Sequence, residues 1–311
     1  MRVFRKICEY KGVISPVVTI GTFDGVHRGH RQVLQQLKNI AKELDKETLV
    51  ITFWPHPRQI LSPLDDRPKL LTNLDNKIKH LQELGIDNLL IIPFDKEFSK
   101  QKPDQFIEEL IVNRIKASAV VIGYDHRFGQ NRAGSFSYLK EKADIHNYQV
   151  FEVSALQVGG LSVSSTKIRK ALKEGMVNKA NEYLGYTYSI EGTVISGLKL
   201  GTKLDFPTAN IKQVEDEKLL PFDGVYVVEV KVNNELHYGM LNNGVNPTVP
   251  EKGRSIEVFI FDFEGDIYQQ PIEIGFLIRL RDEMFFPDLQ SLKAQLEIDK
   301  MNALRFLQQM K

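Results

Sequence analysis

Two histidines three residues apart, His27 and His30, sit in the stretch TIGTFDGVHRGHRQVLQQL, between an apolar run and a helical pattern. Gly21 and Gly25 permit a tight strand-to-helix turn, and Gly29 leaves room beside the imidazoles. On a first helical turn the pair lies on one face, near the positive end of the helix dipole, which suits an anion. A metal reading would need Asp24 as a further ligand. It lacks a third and fourth ligand at convincing spacing, the other histidines at 56, 80, 126, 146 and 237 being scattered. A plain helix cap is the reading with no chemistry. A second cradle lies at SVSSTKIRKALKEG, where Ser164, Ser165 and Thr166 occupy N-cap positions and Arg169 projects from the same helical face. Most such clusters are plain caps, but paired with the histidine turn they suggest one nucleoside triphosphate gripped from two sides. Thr208 and Asn210 of FPTAN are two apart, so in an extended segment they offer two neutral oxygens to a hard cation such as magnesium. Glu257 in SIEVFIFDF faces opposite to Ile256 and Val258 on a strand.

The elements that must position these groups follow from periodicity. Short apolar runs (PVVTIG, TLVITFW, NLLIIPF, ASAVVIGYD, YQVFEVSAL) alternate with helical patterns (GHRQVLQQLKNIAKELDK, NKIKHLQELGI, PDQFIEELIVNRI). That alternation predicts an α/β domain, a doubly wound parallel sheet with helices on both faces and ligands at the carboxyl ends of its strands. Beyond about residue 184 the runs become alternating and turn-punctuated, which predicts a compact antiparallel sheet or small β-barrel, with a C-terminal helix over DLQSLKAQLEIDKMNALRFLQQM laid against it. The boundary is placed near Gly185, giving domains 1–185 and 186–311, as a chain of 311 residues favours.

Composition narrows the function. A net charge of +1 gives no general pull toward nucleic acid or anionic lipid, so small-molecule partners are expected, without nucleic acid or membrane. One cysteine, Cys8, excludes an internal disulfide and a thiolate cluster. No signal-peptide h-region and no bilayer-length apolar run is present, so a cytoplasmic location is expected.

GTFDGVHRGH with the downstream SSTKIR resembles the nucleotidyltransferase superfamily. The whole chain, through TFWPHPR, VIGYDHRFG, FPTANI, GVYVV, IEVFIFDF and LRDEMFFPDLQSL, resembles the bacterial bifunctional riboflavin kinase/FMN adenylyltransferases. The resemblance implies that the first domain transfers AMP from ATP to FMN, giving FAD and pyrophosphate, and that the second phosphorylates riboflavin to FMN. It implies that His27 and His30 serve the ATP phosphates within a turn including Gly21, Phe23 and Asp24, and that Ser165, Thr166 and Arg169 grip the triphosphate. Asp125 then matches a position near the flavin and α-phosphate, Phe53 and Phe128 offer aromatic surface to the flavin, and Arg281 matches a segment around the flavin of the kinase site. Glu257 matches the kinase base, and Thr208 with Asn210 the Mg2+ ligands.

The chain departs from the family pattern before FPTAN. Thr202 replaces an arginine and Asp205 a glycine; a carboxylate there can repel phosphate, and a lost glycine is costly if the position needs positive φ. Lys203 is the candidate replacement charge. Trp54 stands where many members carry an acid. The competing readings are an adenylyltransferase with a weakened or non-catalytic flavin-binding kinase domain, another adenylyl or cytidylyl transferase, which needs no β-rich second domain, and a class I aminoacyl-tRNA synthetase, which needs a longer chain and an RNA-binding surface.

Overall fold

A computed structural model of the chain describes residues 1–124, 126–158, 161–197, 201–214, 216–245 and 254–310. They form two compact units, Met1–Ser165 and Thr166–Lys311.

The first unit is built on a parallel sheet of β1 (Arg2–Phe4), β2 (Val17–Ile20), β3 (Thr48–Trp54), β4 (Asn88–Pro93), β5 (Ala119–Gly123) and β6 (Gln149–Val153), in the order β1-β4-β3-β2-β5-β6. The order reverses direction between β2 and β5, so the crevice at their carboxyl ends is the switch point at which such sheets bind ligands. β2 and most of β4 are buried without interruption, as strands covered on both faces must be. α1 (Arg28–Glu43) covers one face with Leu34, Leu37, Ile40 and Ala41. The short α2 (Pro57–Leu61) follows β3, and α3 (Leu74–Glu83) joins α1 with Leu81. The opposite face is covered by α4 (Pro103–Gln105), which runs into a wider π-type helix over Phe106–Ile115, and by α5 (Phe136–His146). A small hairpin, β7 (Gln157–Val158) with β8 (Leu161–Ser162), ends the unit.

The second unit starts with α6 (Ser165–Lys173) and α7 (Val177–Leu184), followed by β9 (Ser189–Ile195), β10 (Ala209–Gln213), β11 (Gly224–Val232), β12 (Glu235–Val245), β13 (Arg254–Ile260) and β14 (Pro271–Arg281). The strands close into a barrel, β10-β13-β12-β11-β14-β9, in which every neighbour is antiparallel. Burial alternates residue by residue along β9 and β13, as a barrel interior requires. α8 (Leu289–Met310) lays Leu292, Leu296, Ala303 and Leu307 against a cluster containing Phe206, Val227 and Met240.

Composition changes near Gly185, whereas packing divides the chain earlier, after Ser165. The reason is where α6 and α7 bury their faces. Leu172 O accepts from Phe222 N at 2.8 Å, Asn181 Nδ2 donates to Phe276 O at 2.8 Å, and Gly175, at φ +73°, passes so close to Arg279 that a Cβ there would come within 2.6 Å of it.

Candidate active sites

The first site is a strained turn between β2 and α1. Phe23 and Val26 both hold positive φ, at +48° and +33°, beside Gly25 at +83°. A β-branched residue in that region is an outlier that persists only where its surroundings over-determine it. The over-determination is visible: the Asp24 carboxylate, 2% exposed, accepts from Leu71 N at 3.0 Å and Thr72 N at 3.1 Å, while Gly25 N donates to Thr72 Oγ1 at 3.0 Å. Asp24 therefore works from beneath the turn, its carboxylate held by a loop that no local pattern places there. Its main-chain oxygen accepts from Ser165 Oγ at 2.9 Å, which brings the start of the SSTKIR segment to the turn. Thr166 and Arg169 continue along α6, with Arg169 buried.

His27 is the N-cap of α1. Its Nδ1 accepts from His30 N at 3.3 Å. An accepting nitrogen carries no proton, so this bond leaves Nε2 as the ring's donor. The imidazoles of His27 and His30 stack 3.6 Å apart with 14° between planes, and Phe23 meets His30 edge-on at 5.2 Å. A Cβ on Gly29 would lie 3.3 Å from the His27 ring, and one on Gly21 3.0 Å from Phe23, so both glycines give the rings room. His30 is held neutral well below the usual imidazole range, first by burial and then by the charges of His27 and Lys77. Its Nδ1 is buried with no hydrogen-bond partner among the described residues.

Lys77, on α3, was not singled out in the sequence. It is 1% exposed, with Nζ 5.3 Å from the centroid of the Trp54 ring. Burial pushes its ammonium down to about 8, against the opposing pull of Asp24. A signal for it existed: Leu74, Lys77, Ile78 and Leu81 occupy one helical stripe, and a lysine at a stripe position is buried by the geometry of the helix.

Phe53 and Phe128 belong to one aromatic band. Phe53 packs on Phe94 and Phe98 at 5.8 Å each, Phe98 on Phe106 at 6.4 Å, and Phe106 on Phe128 at 5.5 Å. Phe53 is half-buried while Phe128 is buried against Gly134. Asp125 and the side chain of Lys203 lie outside the described residues.

In the barrel, Thr208 Oγ1 donates to Glu257 Oε2 at 3.3 Å and Ser255 Oγ to Glu257 Oε1 at 2.8 Å. Asn210 is directly opposite Glu257 across β10 and β13, and Asn242 opposite it across β12. Two cavities meet here. One, about 600 Å³, is bordered by Thr208, Asn210, Val258 and Tyr268. The other, about 120 Å³, is lined by Phe206, Met240, Glu257, Phe259 and Glu283, and Thr208 borders both. Val258 and Glu257 reach different cavities because successive side chains leave opposite faces of β13.

The Arg281 guanidinium also borders the narrow cavity, but Nε donates at 3.0 Å to both carboxylate oxygens of Asp299 on α8, one terminal nitrogen to Asp299 at 2.7 Å and the other to Asp282 O at 2.8 Å. Glu283, in the same wall, was missed by the sequence reading; burial pushes its carboxyl up, against a hydrogen bond from Asn242. Asp205 does hold positive φ, +65°, and its carboxylate pairs with Lys293 of α8. Among the described residues no group of three or more His, Cys, Asp or Glu is placed to hold a metal. The oxygens of Thr208 and Asn210 fit a hard cation completed by a ligand's own oxygens.

A phosphate-suited turn on a parallel sheet, followed by a barrel with a carboxylate at the junction of two cavities, defines a two-domain nucleotide-dependent transferase. The FAD synthetase family matches residues 13–167 and the riboflavin kinase family residues 184–307. The bifunctional riboflavin kinase/FMN adenylyltransferase of Listeria monocytogenes is 38% identical over 294 residues, covering 94% of this chain and 93% of that protein. That of Escherichia coli K12 is 34% identical over 291 residues, covering 93% and 92%. A solved Streptococcus pneumoniae structure, described as a macrolide-efflux protein, has a TM-score of 0.86 at 29% identity and covers 96% of this chain and 97% of its own. No helix among the described residues here is long and apolar enough to cross a membrane. The chain belongs to the bifunctional riboflavin kinase/FMN adenylyltransferase family. It is an enzyme of the route from riboflavin through FMN to FAD, with both catalytic domains in one chain.

Proposed function

We propose that the two steps are divided between the two sites, and that the single observation carrying this division is Thr208, shared by two cavities and bonded to Glu257. In the barrel, ATP occupies the larger cavity and riboflavin enters from the narrow one. Glu257 accepts the proton of the terminal ribityl hydroxyl as that oxygen attacks the γ-phosphorus and ADP leaves. Thr208 and Asn210 hold Mg2+, which supplies charge neutralisation on the ATP phosphates. Arg281, tied to Asp299, fixes the wall of the flavin cavity.

At the histidine turn, the phosphate of FMN attacks the α-phosphorus of ATP and pyrophosphate leaves. This nucleophile is already mostly dianionic at neutral pH and needs no strong base. What the site supplies is neutralisation and alignment of two anions. His27, through Nε2–H, and His30 meet the ATP phosphates at the start of α1, beside Gly21 and Phe23, with Asp24 holding the turn. Ser165, Thr166 and Arg169 take the triphosphate from the other side. Phe53, Phe128 and Asp125 serve the flavin. Adenylyl transfer thus uses residues as far as Arg169, and we keep functional domains of 1–185 and 186–311, distinct from the packing boundary. With small phosphates and flavins as its partners, the enzyme is read as cytoplasmic, acting without nucleic acid or membrane.

Crossed variants test the division. His27→Ala with His30→Ala abolishes conversion of FMN to FAD and spares conversion of riboflavin to FMN; Glu257→Ala does the reverse. Loss of both activities in either variant contradicts the assignment.

A further inference from the structure

A glutamate side chain turns about several bonds, so its place on a strand does not by itself decide where the carboxylate points. The backbone under Glu257 is fixed: it pairs with Asn210 of β10 on one side and Asn242 of β12 on the other, while its neighbours Ile256 and Val258 are buried. Each carboxylate oxygen then accepts from a hydroxyl. Thr208 Oγ1 reaches Oε2 at 3.3 Å, longer than an ordinary O–H···O bond, whereas Ser255 Oγ reaches Oε1 at 2.8 Å, within the ordinary range. Ser255 stands two residues before Glu257, so alternation sends both side chains from one face of β13. Glu257 is among the described residues that wall the narrow cavity, and Ser255 walls neither cavity. A role for Ser255 in the reaction therefore runs through Glu257.

We propose that Ser255 is a positioning residue of the riboflavin-phosphorylating site, whose hydroxyl fixes Oε1 of Glu257 and so presents the carboxylate to the hydroxyl that attacks ATP. The inference rests on the reading of Glu257 as the base. In that reading Thr208 also serves the cation, and its longer bond is the weaker hold on the carboxylate. Ser255 has no second task and supplies the fixed point. Hydroxyls on both oxygens set the plane of the carboxylate as well as its place, and a base must lie within hydrogen-bond reach of the proton it takes. An orientation set in advance spares a rearrangement during the reaction, so the contribution of Ser255 falls on turnover rather than on binding.

The test is steady-state phosphorylation of riboflavin, with riboflavin and ATP varied in turn, by wild type, Ser255→Ala, Ser255→Thr, Ser255→Val, Glu257→Gln and the double variant Ser255→Ala with Glu257→Gln. Losing one hydrogen bond to a charged group lowers kcat of Ser255→Ala roughly tenfold or more, with the KM for either substrate within about twofold of wild type. Ser255→Thr keeps the hydroxyl and stays near wild type. In the Glu257→Gln background the same serine change costs less than about twofold, because residues that act as a unit are not additive. An unchanged kcat in Ser255→Ala while Glu257→Gln falls overturns the positioning role and leaves the base reading standing. Equal losses in both backgrounds also overturn it, since a purely structural serine is needed whichever residue stands at 257. A raised KM with kcat held contradicts it as well. An unchanged kcat in Glu257→Gln overturns the base reading itself. If Ser255→Ala does not fold, Ser255→Thr and Ser255→Val decide, being alike in shape and β-branched as a strand prefers: equal kcat in the two contradicts the proposal, and loss in the valine variant alone supports it.

Discussion

Thr208 Oγ1 donates to Glu257 Oε2 at 3.3 Å where two cavities meet, so the hydroxyl proposed for the cation and the carboxylate proposed as base are in direct contact. Glu257→Gln keeps the shape and the bond to Ser255 but removes the proton acceptor. We expect kcat for FMN formation to fall about 10²- to 10⁴-fold, the usual range for a general base, while conversion of supplied FMN to FAD stays near wild type. Timed chromatography of the flavins measures both in one reaction series.

Neutral His30 carries a pH signature. The unfolded chain takes up a proton near 6.5, whereas the folded site, its imidazole lowered by burial, His27 and Lys77, does not. The unfolded state then binds more protons below that value, so stability present above about pH 6.5 is lost as the pH falls through and below it. Thermal melts of wild type and His30→Asn between pH 7.5 and 5 check the sign, in buffers spanning about that range around the free imidazole value. The wild type loses more of its Tm on acidification than the variant.

Asp299 anchors α8 through Arg281, and truncating one partner of a buried pair leaves the other uncompensated. Asp299→Ala is expected to cost the barrel unit about 3–5 kcal/mol. Denaturant unfolding measures this, and kinase activity is lost at a lower temperature than adenylyl transfer.

The Asp205 charge, exposed and paired with Lys293, is directed at α8. Exposed ion pairs contribute about 0–1 kcal/mol, and glycine relieves a positive φ. Asp205→Gly therefore leaves the KM for ATP in the kinase step within roughly twofold of wild type, since an exposed, screened charge has little reach. A tenfold fall in KM, measured by initial rates, would instead mean that the carboxylate repels the nucleotide.

What was legible in the sequence is what local rules govern. The apolar runs and the stripe through Leu34, Leu37, Ile40 and Ala41 placed β2, β3 and α1, and alternation around Glu257 gave the face it presents. What was hidden depends on residues far apart in the chain. Nothing in GTFDGVHRGH announces that residues 71 and 72 will bind the Asp24 carboxylate. The bond from Arg281 to Asp299 was equally unannounced, since that partner lies 18 residues on, within a helix read only for its apolar side. The division at Ser165 escaped composition, since α6 and α7 look alike whichever unit they pack on. Lys77 alone had a local sign, a charge in an apolar stripe.

The central claim is that one chain makes both transfers. Purified protein incubated with riboflavin, ATP and magnesium, with the flavins separated over time, is expected to show FMN first and FAD accumulating from it with release of pyrophosphate. Riboflavin left unchanged, together with no FAD when FMN is supplied, would contradict it.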